Sequence, residues 1–217
     1  MYTLYVYECC PFCMRARLIL AAKNIEYEKK ILAFDDKETT QKLANINSLP
    51  ILVTPSGEVV SDSMKIVDYL DKEVPEPSLD KRSMPETFEK KLHSLFDDFL
   101  SLWFPRLYKL GFPEFKNKSA QEYFINARKE KFPNLLELFD NPKEYIKKIS
   151  PLLDFFAENL QTDHYVYKAF SKADIELFPI LRALSAVKGL PFPDRLKKYM
   201  EYRAKHANVK LLFNRAI

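Results

Sequence analysis

The chain has 217 residues, 47% of them apolar, and 34 basic against 30 acidic side chains leave a net charge of +4. That length allows one or two domains with a sizeable core. No run of about 18 apolar residues occurs, so no membrane span is expected. Lys129, Lys131, Lys147 and Lys148 are not interleaved with aromatics, which argues against a nucleic-acid surface. Three cysteines are too few for a disulfide scaffold. With no basic-then-apolar leader at the start, a reducing, cytoplasmic location is expected.

In chain order, residues 2–7 are rich in β-formers and predict a strand. From Pro11 the pattern turns helical through Met14, Ala16, Arg17, Leu18 and Leu20. Pro11 suits the first turn, where its missing N–H costs nothing. Cys10 then falls at or beside the helix N-cap, where unpaired N–H groups and the helix dipole favour a thiolate. A thiolate is the nucleophile of disulfide exchange. Cys13 lies one turn on, within disulfide reach, so Cys10-Pro11-Phe12-Cys13 reads as a nucleophile with a resolving partner. Two other readings of the pair stand beside it. Half of a zinc site would need a second ligand pair, and beyond Cys9 only the scattered His93, His164 and His206 remain; no metal is expected. A structural disulfide would close a very short loop and constrain the unfolded chain little.

Residues 27–32 predict a second strand. Asp35 or Asp36 can cap a short helix through Thr40, Leu43 and Ala44. Pro50 falls at the start of an apolar strand, 48–53, where a missing donor is tolerated. Residues 55–57 form a turn into Val59 and Val60. Ser61-Asp62-Ser63 precedes an apolar helix face of Met64, Ile66, Val67, Tyr69 and Leu70. A strand–helix–strand unit followed by a hairpin predicts a mixed sheet with packed helices.

Strand–CPFC–helix, a Leu-Pro strand start and Asp-Ser at a helix start together resemble the thioredoxin fold as glutaredoxins and glutathione transferases use it. The resemblance implies a cis peptide before Pro50. It also implies a glutathione cradle of Phe12, Arg15, the Leu49 backbone, Pro50, Asp62 and Ser63. Ser63 and free helix N–H groups suit the carboxylate of the γ-glutamyl end, and Asp62 its ammonium. Taken singly, each piece has a plain alternative: a trans turn proline, an ordinary N-cap, a surface phenylalanine, a solvated helix arginine. Cys9 is not part of the family motif. Its position just outside the helix is expected to point it away from Cys13, as a bystander.

Residues 76–85 are polar and proline-bearing, a linker. Beyond it Leu92, Leu95, Phe96, Phe99, Leu102 and Trp103 mark one long helix, with Trp103 as core packing. Further helices are expected over 120–139, 145–160, 173–187 and 196–204, an all-α region of about five. Ser171 and Asp174 form a capping-box-like pair, resembling the buried box of the glutathione-transferase helical domain and assigned no chemistry.

The expected fold class is therefore an α/β thioredoxin-like domain, 1–75, followed by an all-α glutathione-transferase-like domain, 86–217. Two cysteines in CPFC, residues 174–179 and residues 211–217 make the chain most similar to the bacterial two-domain glutaredoxins. That resemblance implies a monomeric, glutathione-dependent thiol–disulfide oxidoreductase with Cys10 as nucleophile and Cys13 as resolving thiol. Its partners would be glutathione, as co-substrate, and glutathionylated or disulfide-containing proteins, with no tightly bound cofactor. The mild positive charge would help attract anionic glutathione. A glutathione transferase acting on small electrophiles and a non-catalytic glutathione-binding module are the alternatives. An iron–sulfur role, known among glutaredoxins, is disfavoured in that family by Pro11.

Overall fold

The computed structural model describes residues 1–217. The strands are β1 (Tyr2–Val6), β2 (Tyr27–Ile31), β3 (Ile51–Val53) and β4 (Val59–Ser61), and the first helices are α1 (Pro11–Ala22), α2 (Lys37–Ala44) and α3 (Ser63–Glu73). The sheet runs β2-β1-β3-β4. β1 and β2 are parallel, Tyr2 opposite Tyr27 through Val6 opposite Ile31. β3 is antiparallel to β1, with Tyr5 opposite Ile51, and β4 is antiparallel to β3, with Ile51 opposite Ser61. The expected mixed sheet is present. Gly57, at φ +87°, closes the β3–β4 turn, a conformation that L side chains resist.

The register decides where chemistry can occur. The end of β1, the start of β3 and the end of β4 lie at one end of the sheet. The N-termini of α1 and α3 follow β1 and β4 at that same end. Cys10, Leu49-Pro50 and Asp62-Ser63 are brought together by this register, although the sequence separates them by tens of residues.

The later helices are α4 (Glu86–Ser94), α5 (Phe96–Leu107), α6 (Lys118–Asn126), α7 (Glu137–Asp140), α8 (Lys143–Asn159), α9 (Lys172–Leu184) and α10 (Asp194–His206). There are seven of them where about five were expected, for two reasons. The single helix expected around residues 92–103 is broken at Leu95. Just before the break Ser94 Oγ donates to the Lys91 carbonyl at 2.8 Å, the kind of side-chain bond that competes with the helix ladder. The helix expected over 120–139 stops at Asn126 and resumes only briefly as α7. Pro133 lies between, without an N–H and hostile to helix in the residue before it.

In space the chain packs as two units, and the grouping is not sequential: residues 1–78 with 111–128, and residues 79–110 with 129–217. In the first unit α1 packs on α3, and Leu4, Val6, Ala16, Ile19, Leu20, Ile51, Leu52, Ile66, Val67 and Leu70 are fully buried. Residues 111–128 join this unit through an aromatic cluster. Phe34 stacks on Tyr7 at 4.7 Å and on Phe115 at 5.3 Å between centroids, and meets Phe124 edge-on at 5.0 Å. Such pairs add about 0.5–1.5 kcal/mol each beyond the area they bury. Lys23 ties the ends of α1 and α3 to the start of the linker. Its buried Nζ donates to the Pro75 and Pro77 carbonyls at 3.0 and 2.7 Å and pairs with Asp71 at 2.7 Å.

In the second unit α5 packs against α7, α8 and α9, and Trp103, 1% exposed, is core as expected. Helix α9 begins with a complete capping box between Ser171 and Asp174. Asp174 accepts from Val166 N at 2.9 Å, Ser171 N at 2.9 Å and Ser171 Oγ at 2.7 Å. Burial pushes its carboxyl above the ordinary value, against those bonds and the Arg203 charge. The linker is pinned to the same helix start, where Asp80 N donates to Phe170 O and Lys172 N to Asp80 O.

Candidate active site

Cys10 is the N-cap of α1, with extended backbone (φ −74°, ψ 122°) and Pro11 at the first helical position. Its Sγ accepts the Cys13 N–H at 3.4 Å. The thiol is held below its ordinary value. The Cys13 thiol donating to it is the largest cause; desolvation opposes, and the Cys13 and Phe12 N–H groups assist. Cys13 is the reverse case. At 1% exposure, burial drives its thiol well up, and the bond and charge of Cys10 add to this. The Tyr7 N–H, 3.4 Å from its sulfur, works the other way. A partly exposed thiol that is lowered stands beside a buried thiol that is raised. This asymmetry suits sequential exchange, in which the first thiolate attacks and the second waits.

The remaining expected residues fall into three groups. Phe12 is 44% exposed and the Arg15 guanidinium lies 4.8 Å from its ring centroid. Leu49 is buried and the Leu49–Pro50 peptide is cis. Asp62 caps α3, its Oδ1 accepting from Met64 N at 2.9 Å and Lys65 N at 3.1 Å. Two of the helix N–H groups expected to face a ligand carboxylate are therefore already taken by Asp62. Asp62 also has φ +77° and ψ 131°, a conformation that costs a non-glycine residue about 1–3 kcal/mol and clusters at ligand clamps. Ser63, 5% exposed, follows it at the first position of α3.

Cys9 stands just outside α1, one residue before the N-cap, as expected. It is 4% exposed, and its thiol acts electrostatically on both Cys13 and Tyr7. It belongs to the buried surroundings of the dithiol. No group of three or more His, Cys, Asp or Glu is arranged to hold a metal ion.

Four further groups surround the cysteines without having been expected. Glu114 Oε1 accepts the Cys9 N–H at 2.7 Å. The Tyr7 hydroxyl, raised by burial, donates to Phe34 O and accepts from Lys37 Nζ at 3.2 Å. Arg128 lies 3.8 Å from the Phe124 ring centroid and 5.1 Å from that of Phe34. Burial brings its guanidinium down to about 10, and it faces Cys9, Tyr7 and Cys10. Burial, and then the Arg128 charge, lower Lys37. The one sequence signal for Glu114 is a lone acid between Phe112-Pro113 and Phe115.

A thiolate-favouring N-cap, a reserve thiol one turn behind it and a cis proline at the start of β3, all on one mixed sheet, make the first unit's fold thioredoxin-like. The helices that follow are of the glutathione-transferase type, so the molecule is a thiol–disulfide oxidoreductase of the two-domain kind. The comparisons agree with this class. Residues 87–216 match the family model "Glutaredoxin 2, C terminal domain", and residues 9–73 match "Glutathione S-transferase, N-terminal domain". The chain is 33% identical to glutaredoxin 2 of Escherichia coli over 99% of both chains. It superposes on glutaredoxin 2 of Salmonella typhimurium, solved in complex with glutathione, with a TM-score of 0.94 at 30% identity, covering 100% of this chain and 99% of that one. A glutathione transferase from Phanerochaete chrysosporium shares the fold at a TM-score of 0.70 and 16% identity, with 96% and 99% covered. The chain belongs to the glutaredoxin 2 family.

Proposed function

We propose that the chain reduces protein disulfides and glutathione mixed disulfides with glutathione as reductant, through Cys10 as nucleophile and Cys13 as resolving thiol. The observation that carries the reading is the placing of the two thiols: Cys10 at the N-cap of α1, its Sγ accepting the Cys13 N–H at 3.4 Å, and Cys13 buried one turn on, which lowers the first thiol and raises the second. Similarity to a glutaredoxin 2 solved with glutathione supports the choice of reductant.

The Cys10 thiolate attacks one sulfur of a substrate disulfide. A Cys10–substrate disulfide forms, and the other substrate sulfur leaves as a thiolate that takes a proton from water. Cys13 then gives up its proton and attacks Cys10 Sγ, forming the Cys10–Cys13 disulfide and expelling the second substrate thiolate. One glutathione thiolate opens that disulfide at Cys10, returning Cys13 to the thiol. A second removes the glutathionyl group as glutathione disulfide and regenerates the Cys10 thiolate. A glutathionylated substrate needs only Cys10 and the last step.

The cradle for glutathione is Phe12, Arg15, the Leu49 backbone, Pro50, Asp62 and Ser63. The shared sheet end and the strained Asp62 support that assignment. By its similarity to the two-domain glutaredoxins the protein is expected to work as a monomer in the cytoplasm. No helix is long and apolar enough to cross a membrane. The test is glutathione-dependent reduction of a small mixed disulfide coupled to glutathione reductase. Cys10→Ser abolishes turnover, whereas Cys13→Ser keeps much of it with the mixed disulfide and loses it with a protein disulfide. Equal losses in both variants on the mixed disulfide would overturn the monothiol step. Absence of turnover in folded wild type would overturn the whole reading.

A further inference from the structure

One buried carboxylate beside the dithiol has no part in that reaction scheme. Glu114 lies in the 3-10 turn Pro113–Phe115 and is 1% exposed. Its Oε1 accepts the Cys9 N–H at 2.7 Å, while Oε2 is buried with no hydrogen-bond partner. The Glu114 carbonyl accepts from Phe34 N at 3.0 Å, and Phe34 is stacked between Tyr7 and Phe115. Packing therefore fixes the carboxylate where it is. A buried acid with an idle oxygen is costly, and such a cost is tolerated where the charge has a task.

We propose that Glu114 is a positioning residue for Cys10: Oε1 holds the Cys9–Cys10 segment ahead of α1, and the buried negative charge keeps the Cys10 thiolate basic enough to attack. The inference rests on Cys10 being the nucleophile. Besides the adjacent Cys9 thiol, which acts on Cys13, Tyr7 and Arg128, the groups that act electrostatically on Cys10 or bond to it come from four places. Cys13 and the N–H of Phe12 belong to α1, Tyr7 to the end of β1, Glu114 to the 3-10 turn and Arg128 to the residues after α6. Lys37, at the start of α2, bonds the Tyr7 hydroxyl. Arg128, the helix start and the Cys13 thiol all favour the thiolate, and Tyr7 stays neutral. Glu114 is the carboxylate that opposes them. A thiolate stabilised without opposition attacks poorly, because nucleophilicity falls with basicity at a Brønsted slope of about 0.4–0.5. Glu114 thus trades some thiolate population for reactivity per thiolate.

The experiment compares wild type with Glu114→Gln, Glu114→Asp and Glu114→Ala. The readout is the pH dependence of Cys10 alkylation by iodoacetamide, with the modified residue among Cys9, Cys10 and Cys13 located by fragment-ion sequencing of their shared peptide, and the fold of each variant checked by circular dichroism. Glu114→Gln keeps the shape and a carbonyl acceptor for Cys9 but loses the charge. Its alkylation midpoint moves to lower pH and its plateau rate falls. Glu114→Asp keeps the charge and stays nearer the wild-type midpoint. Glu114→Ala repeats the downward shift and carries the test should the Gln variant not fold. A midpoint that stays or rises on loss of charge overturns the proposal, as do equal shifts in the Asp and Gln variants. In those cases a Cys10→Ser variant without turnover leaves the assignment of Cys10 standing. Failure to alkylate Cys10 in the wild type overturns both.

Discussion

Asp174→Ala is expected to damage the fold and spare the chemistry. The carboxylate is fully buried and accepts three hydrogen bonds, from Val166 N, Ser171 N and Ser171 Oγ. Alanine leaves two main-chain N–H groups without acceptors, and each orphan costs about 1–3 kcal/mol. The Ser171 hydroxyl can turn elsewhere and adds little. Against this, the variant escapes the cost of burying the carboxylate, which the raised Asp174 value reports. The net loss is about 3 kcal/mol. At about 2–4 °C per kcal/mol for a chain of this size, the melting midpoint falls by about 6–12 °C. Thermal unfolding followed by circular dichroism measures it, alongside turnover per folded molecule at room temperature, which stays at the wild-type level. Asp174→Asn keeps one acceptor oxygen and loses less. A fall below about 2 °C in the alanine variant, equivalent to less than about 1 kcal/mol, would refute the idea that these donors depend on Asp174.

The same carboxyl gives a signed pH dependence. The fold holds its proton more tightly than the unfolded chain, so its contribution is complete below the unfolded value of about 3.9 and is lost as pH rises through the folded value. The stability gap between wild type and Asp174→Ala is therefore widest in acid; urea titrations showing it widen toward neutral pH would contradict this. Lys23→Met strands Asp71 and the Pro75 and Pro77 carbonyls, and chemical denaturation should record a loss of about 3–5 kcal/mol, the range for breaking a buried pair. Phe12→Ala removes an exposed ring and its Arg15 contact, worth about 0.5–1 kcal/mol. Stability should change by no more than that while KM for a glutathionylated peptide rises; an unchanged KM would remove Phe12 from the cradle.

Local patterns were legible because they report local physics. Pro11 at the first helical position, Asp36 and Asp62 as caps, and the Ser171–Asp174 box each use a handful of adjacent residues. Pro133 is a local signal against a continuous helix over 120–139. The break at Leu95 had no breaker to announce it, only Ser94 turning back on its own helix. Glu114, Lys37 and Arg128 were out of reach for another reason. Their bearing on the cysteines comes from packing across more than a hundred residues for Glu114 and Arg128, and periodicity records which face is buried, never what it is buried against.

The aromatic cluster that joins residues 111–128 to the first unit has a consequence for synthesis. As the chain emerges from the ribosome, every strand of the sheet is available by Ser61, yet Phe34 lacks the rings that cover it until Phe115 and Phe124 have been made. The Cys9 segment waits equally long for Glu114. For that interval the nascent dithiol stands over an unfinished apolar surface, open to stray oxidation and to chaperones. A fragment cut at residue 75 would hold the redox half in that unfinished state.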